Sequence, residues 1–243
     1  MGSLIKYEFR KLLNIKFIIL VLTGVFEVMF LVGFAAKNES ILCTAIALLF
    51  FCTIISISVL AILAIRVLSK ELNTKQGYML FMTPNSSYKI LGAKIIESAI
   101  SIFAFGAFFI LLGLFDINLL SDNKLFNAII DGDAIIFLTD ESGLALNAVA
   151  ILFNVITIVI IAFLAVIVSA ALLNGKKYNG LLSFGLFLII NFIVSDSMTR
   201  LSVLLNLTED KSAISIFICV ACTVLSVLIY YISALIMDKK LSV

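Results

Sequence analysis

The sequence predicts an all-α integral membrane protein that crosses a bilayer six times, and three observations carry that prediction. Hydrophobic residues make up 63% of the 243 positions and charged residues 13%, with a mean hydropathy of +1.24, too apolar for any soluble class. The apolar residues fall in long unbroken runs rather than in short alternating segments. In hydrocarbon every backbone amide must be satisfied internally, so runs of that length dictate helices rather than a barrel. Six such runs occupy residues 1–243 as a single transmembrane domain.

The chain opens with Ser3 to Asn14, where Leu4, Ile5, Phe9, Leu12 and Leu13 alternate with Lys6, Glu8, Arg10 and Lys11 near a 3.6-residue period. This pattern predicts an amphipathic elbow helix over residues 3–14, lying along the membrane surface, with Lys6, Phe9, Arg10 and Lys11 at the headgroup boundary. The first span, Phe17 to Ala36, has 20 residues, enough to cross a core of about 30 Å. It is longer than the apolar region of a signal peptide and follows an amphipathic segment, so it reads as uncleaved. Lys37 to Ser40 then turns the chain into the second span, Ile41 to Leu68, whose 28 residues exceed what hydrocarbon requires.

The third span covers Ile95 to Phe115, and its helix can begin as early as Ser87 because Ser86 or Ser87 suits an N-cap. The second and third helices are therefore expected to protrude from the bilayer on the same side. Between them, Gly77, Tyr78, Met79, Leu80, Phe81 and Met82 form an apolar patch, followed by Thr83 and by Pro84, the only proline. An aromatic and methionine knob in a loop reads as a docking surface, the alternative being a segment folded back on its own bundle. After a loop from Asp116 to Asn147 that shows no catalytic grouping, the fourth span is Ala148 to Leu173. The fifth, Leu181 to Val194, has only 14 strongly apolar residues, and the connector after it carries Leu201, Val203, Leu204 and Leu205. That combination predicts a re-entrant or interfacial segment before the sixth span, Ile214 to Met237.

Six spans put both termini on one side, and basic residues say which. Of the 17 Lys and Arg, all but Lys37, Lys124, Arg200 and Lys211 fall on the side of the termini, which makes that side cytoplasmic. The net charge of +2 gives no basic excess that would point to a nucleic-acid partner. No histidine is present, which removes the commonest metal ligand and the commonest general base. Cys43, Cys52, Cys219 and Cys222 lie inside apolar runs, and the Cys219–Cys222 pair reads as packing rather than as a metal or redox motif. There is no G-x-x-x-x-G-K-[ST] phosphate loop, G-x-S-x-G elbow or H-E-x-x-H, so no enzymatic activity, metal or cofactor is expected on this chain.

Three charged residues fall inside the runs. Glu27 lies ten residues into the first span, where an acid is costly and by default marks either a substrate path or a hydrogen-bonded structural role. Arg66 and Glu97 lie at similar depth on consecutive antiparallel helices and are expected to form a structural ion pair.

The order of parts resembles the half-size permeases of the ABC-2 type exporter superfamily, and the run Tyr78-Met79-Leu80-Phe81-Met82-Thr83-Pro84-Asn85-Ser86-Ser87-Tyr88-Lys89-Ile90-Leu91-Gly92-Ala93-Lys94 is similar to that family's coupling-helix region. The resemblance implies that Gly77 to Pro84 form a coupling helix docking on a separate ATPase chain, which would carry ATP and Mg. It further implies two ATPases and a second permease, the same or a related chain, in a bacterial cytoplasmic membrane. Among half-size members the chain looks closest to exporters of amphipathic and antimicrobial peptides such as phenol-soluble modulins. A lipid or lipid-linked glycan flippase and a non-transporting membrane immunity or interaction protein are the alternatives.

Overall fold

The structure, a computed structural model, describes residues 2–73, 87–121, 141–173, 179–205 and 211–241. The described residues form six helices and no strand: α1 (Gly2–Ala35), α2 (Glu39–Asn73), α3 (Ser87–Ser121), α4 (Glu141–Leu173), α5 (Asn179–Leu204) and α6 (Lys211–Leu241). All six are long and apolar enough to cross a membrane. Their outward surfaces carry large side chains such as Phe17, Phe50, Leu111, Phe192 and Val227. Only hydrocarbon accommodates that much exposed apolar area.

A tight hairpin joins α1 to α2. Lys37 takes a left-handed conformation, φ 51°. Its N–H donates to the Phe34 carbonyl at 3.2 Å and that of Asn38 donates to the Gly33 carbonyl at 3.2 Å. This is the pair of reverse bonds that closes a helix in a Schellman motif, here with lysine where glycine is usual. Asn38 then caps α2, its Oδ1 accepting from the Ser40 N–H at 3.2 Å. Gly33 lets the two helices approach: a Cβ there would lie 3.1 Å from both Ile41 Cγ2 and the Leu42 nitrogen.

The bundle is built around α4, in whose most apolar stretch 61% of residues are buried, against none in α5. Leu152, Ile156, Val159, Ile160, Phe163 and Ile167 of α4 meet Ala64 and Leu68 of α2, Leu91 and Ile102 of α3, and Ile229 and Met237 of α6. Phe103 and Phe153 cross edge-to-face, and Gly106 sits against Leu152 where a Cβ would come within 2.5 Å of a methyl. Parallel α4 and α6 are stitched by Thr157 Oγ1 with Ser226 Oγ at 3.2 Å and by Ser215 with Asn147. A smaller core of Phe30, Leu42, Ala45 and Leu120 fastens α1 to α2 and α3. By contrast α5 packs along α4 and scarcely touches α6.

Several boundaries differ from the sequence reading. The elbow expected over residues 3–14 is not a separate element, because α1 runs without a break from Gly2 to Ala35. No proline interrupts Ser3 to Lys16, and the charges meant for a headgroup layer are partly taken up by neighbouring helices. Nor does the chain turn back after Val194: α5 continues to Leu204, making 26 residues or about 39 Å. The polar stretch stays helical because its hydroxyls bond their own backbone, Ser197 to the Ile193 carbonyl at 2.7 Å and Thr199 to the Ser195 carbonyl at 3.0 Å. Asp196 and Arg200 pair one turn apart at 2.7 Å. The third helix starts at Ser87, the earliest position the sequence allowed, but extends beyond Phe115 to include Asp116.

Candidate functional site

The densest polar arrangement lies at the end of the bundle that carries the N-terminus, between α1, α2 and α3. Lys94 Nζ of α3 reaches Glu8 Oε1 of α1 at 2.7 Å and Glu71 Oε2 of α2 at 2.6 Å. Glu71 Oε1 accepts from Lys11 of α1 at 2.7 Å. One turn or two further along, Lys16 of α1 donates to Glu97 Oε1 and to Ser101 Oγ of α3, both at 2.6 Å, and Ser101 donates back to Glu97 at 2.9 Å. Lys16 also stands 4.3 Å from the centre of the Phe9 ring.

Glu8, Glu71 and Glu97 thus balance Lys11, Lys16 and Lys94, so the cluster carries no net charge. Lys94 and Glu97 are 5% and 4% exposed, and Lys11 alone reaches water appreciably. Burial of that degree is tolerable only with matched partners, because stripping water from a lone charge costs several kcal/mol. Lys94 approaches Glu71 Oε2 off the hydrogen-bonding angle, so that contact is Coulombic and the oxygen accepts no hydrogen bond. Glu71 lies at the end of α2 and Lys94 near the start of α3, so the cluster ties the two ends that flank segment 74–86 to each other and to α1.

This arrangement corrects one expectation. Arg66 does not pair with Glu97, whose oxygens are held by Lys16 and Ser101. It is exposed instead, in an open groove between α1 and α2 with Lys11, Leu12, Leu63, Val67 and Lys70. The similar depth of Arg66 and Glu97 was legible in the sequence; the rotation of α2 that turns Arg66 away from α3 was not. Of the elbow residues, Lys6 and Arg10 are exposed, Phe9 packs on Lys16, and Lys11 joins the cluster. Glu8, Lys16, Glu71 and Lys94 were missed. Their signal was present, since Glu8, Glu71 and Glu97 are acids on an otherwise basic side of the membrane. The segment expected to be a docking patch, Gly77, Tyr78, Met79, Leu80, Phe81, Met82, Thr83 and Pro84, lies outside the described residues.

Glu27 faces a second acid rather than a base. Its carboxyl interacts with that of Asp116 on the parallel helix α3, and Glu27 Oε2 and Asp116 Oδ1 are buried with no hydrogen-bond partner. Asp116 had been counted with the outer loop because the apolar run stops at Phe115. Its place within α3 comes from the continuing Ile117, Leu119 and Leu120, the last of which packs on Phe30 and Leu42.

A third polar feature lies toward the opposite end. A cleft of about 300 Å³ opens between α4, α5 and α6, lined by Asn154, Thr157, Asn191, Ser195, Thr199 and Ser202 together with Ile214, Phe217 and Ile218. Asn154 and Asn191 make no hydrogen bond among the described residues. An unpaired amide in an apolar medium costs about 2–7 kcal/mol.

All four cysteines are free, with Cys222 buried against Thr157 on α4, in keeping with a packing role. Among the described residues no group of cysteine and acidic side chains could hold a metal ion. No family model, curated protein or solved structure matches the chain.

Proposed function

We propose that this chain is the membrane permease subunit of an ATP-driven ABC exporter, moving amphipathic or antimicrobial peptides out of a bacterial cell. A separate ATPase, present in two copies, supplies ATP and Mg, and a second permease completes the path. Both termini lie in the cytoplasm in this reading, so the charged cluster stands at the cytoplasmic face. The observation that carries the proposal is that cluster. A docking patch in segment 74–86 can move the membrane helices only if its flanks are stiffly joined to them. Lys94, eight residues after the segment, is held to Glu8 of α1 by a buried ion pair, and Glu71, three residues before it, pairs with Lys94 and with the partly exposed Lys11 of α1.

Closure of the ATPase pair then pushes the Gly77 to Pro84 patch, and α1, α2 and α3 tilt together as one lever. Interfaces and packed cores respond to such a push by switching between discrete arrangements rather than by bending. The lipid or lipid-linked glycan flippase remains the second reading, and the side-opening polar cleft between α5 and α6 is what favours it.

Affinity purification of the chain from its native membrane tests the proposal. An ATPase should co-purify, and the combined substitution Tyr78→Asp, Phe81→Asp and Met82→Asp should remove it while leaving the chain folded. Retention of the ATPase by that variant would remove the docking assignment, and absence of any ATPase from the wild-type complex would favour a non-transporting membrane protein.

A further inference from the structure

We propose that the cleft between α4, α5 and α6 binds the uncharged, hydroxyl- or amide-bearing headgroup of a membrane amphiphile that enters sideways between α5 and α6. The cleft places the carboxamides of Asn154 and Asn191, from adjacent antiparallel helices, on one space, and neither has a hydrogen-bond partner among the described residues. Each amide offers two donors and an acceptor. Thr199 and Ser202 spend their protons on carbonyls of their own helix, at 3.0 and 2.8 Å, which leaves their oxygens free to accept from a guest. The site therefore presents donors from the asparagines and acceptors from the hydroxyls, the complement of a sugar or amide group.

Charge selects against the commoner headgroups. Among the described residues no carboxylate, lysine or arginine lines the cleft, and the nearby Asp196 and Arg200 neutralise each other on the exposed side of α5. Among the described residues a phosphate or an ammonium would meet no counter-charge, whereas a neutral polar group finds both donors and acceptors. Size and access agree with this. A volume of about 300 Å³ is at the small end of ligand pockets, which run from roughly 300 to 1,000 Å³, and suits one headgroup rather than a whole peptide. Ile214, Phe217 and Ile218 of α6 and Val194 of α5 give apolar walls for the first part of an acyl chain. Because α5 scarcely touches α6, the tail can remain in the bilayer while the headgroup is held. The site needs neither ATP nor a partner chain, so it can be tested apart from the exporter reading.

The full chain, reconstituted without nucleotide in phosphatidylcholine nanodiscs, is exposed to a monoglucosyl diacylglycerol bearing an acyl-chain diazirine, and in parallel to the matching phosphatidylglycerol. The glucosyl lipid should label the peptides containing residues 191–202 and 214–222, and unlabelled glucosyl diacylglycerol should compete. In the double variant Asn154→Leu, Asn191→Leu, labelling there should fall on the order of tenfold, as expected for two lost hydrogen bonds. Unfolding temperature serves as the folding control, and competition in the wild type stands even if the variant does not fold. Equal labelling of those peptides by both lipids, absence of competition, or indifference to the double substitution in a folded variant overturns the proposal. So does efficient disulfide cross-linking of an Asn191→Cys variant between two copies, which would mean that another protomer fills the cleft.

Discussion

Lys94 and Lys11 are both lysines paired with Glu71, yet their burial separates their energetic roles. Lys94 is 5% exposed and bridges two carboxylates, whereas the Lys11 side chain is 37% exposed. Replacing Lys94 with methionine leaves Glu8 without its partner in a site water scarcely reaches. The expected cost is about 3–5 kcal/mol, read as a lowered unfolding transition in detergent. Lys11→Met is expected to cost less than about 1 kcal/mol. Adding Glu8→Gln to Lys94→Met should restore a large part of the loss, since Glu71 keeps Lys11, and a double-mutant cycle measures that coupling. At Glu27 the neighbouring acid reverses the usual expectation for a buried carboxylate. Glu27→Gln keeps a hydrogen-bonding group against Asp116 and removes one of two facing acids, so stability should hold or rise. Glu27→Leu should lower it by about 1–3 kcal/mol, because Asp116 is left without a polar neighbour at that face.

At the scale of elements, packing and turns decide what the hydropathy runs leave open. The crossing of α3 and α4 depends on Gly106, and an alanine methyl there would strike the Leu152 methyls. Leu152 is 4% exposed and has little room to rotate. Gly106→Ala should therefore cost about 1–3 kcal/mol, and a compensating Leu152→Ala should recover part of it in the same unfolding assay. In the α1–α2 turn, Lys37 holds a conformation that costs an ordinary residue roughly 1–2 kcal/mol, against about 0.5–1 for the added freedom of an unfolded glycine. Lys37→Gly should accordingly raise the unfolding transition by up to about 1 kcal/mol.

The six spans were legible because bilayer thickness imposes a length on apolar runs, and the start of α3 at Ser87 falls where the sequence allowed it. Helix ends were less legible where polar residues are satisfied by the helix itself, as with Ser197 and Thr199, or by another helix, as with Lys16 and Asp116. Hydropathy registers such residues as exits from the membrane. Which residues share a face across helices depends on rotation and register, so Arg66 was assigned the partner that Lys16 holds.

In the whole molecule the polar features are separated along the bundle. The ion cluster joins α1, α2 and α3 at the N-terminal end, while the cleft opens between α4, α5 and α6 toward the other. The central core on α4 connects the two halves, with α2, α3 and α6 all packing on it and α3 also touching α6 directly. In the proposed exporter, a push on the first half would have a packed route to the second. The direct measurement is ATP-dependent uptake of a fluorescent amphipathic peptide into inside-out proteoliposomes holding the purified complex. Wild type is compared with the Glu8→Gln, Lys94→Met variant, which leaves the proposed docking patch, Gly77 to Pro84, unchanged. Wild type should show ATP-driven uptake, and the variant should still bind the ATPase but lose most of its uptake. Failure of the wild-type complex to move peptide with ATP, or full uptake by the variant, would contradict it.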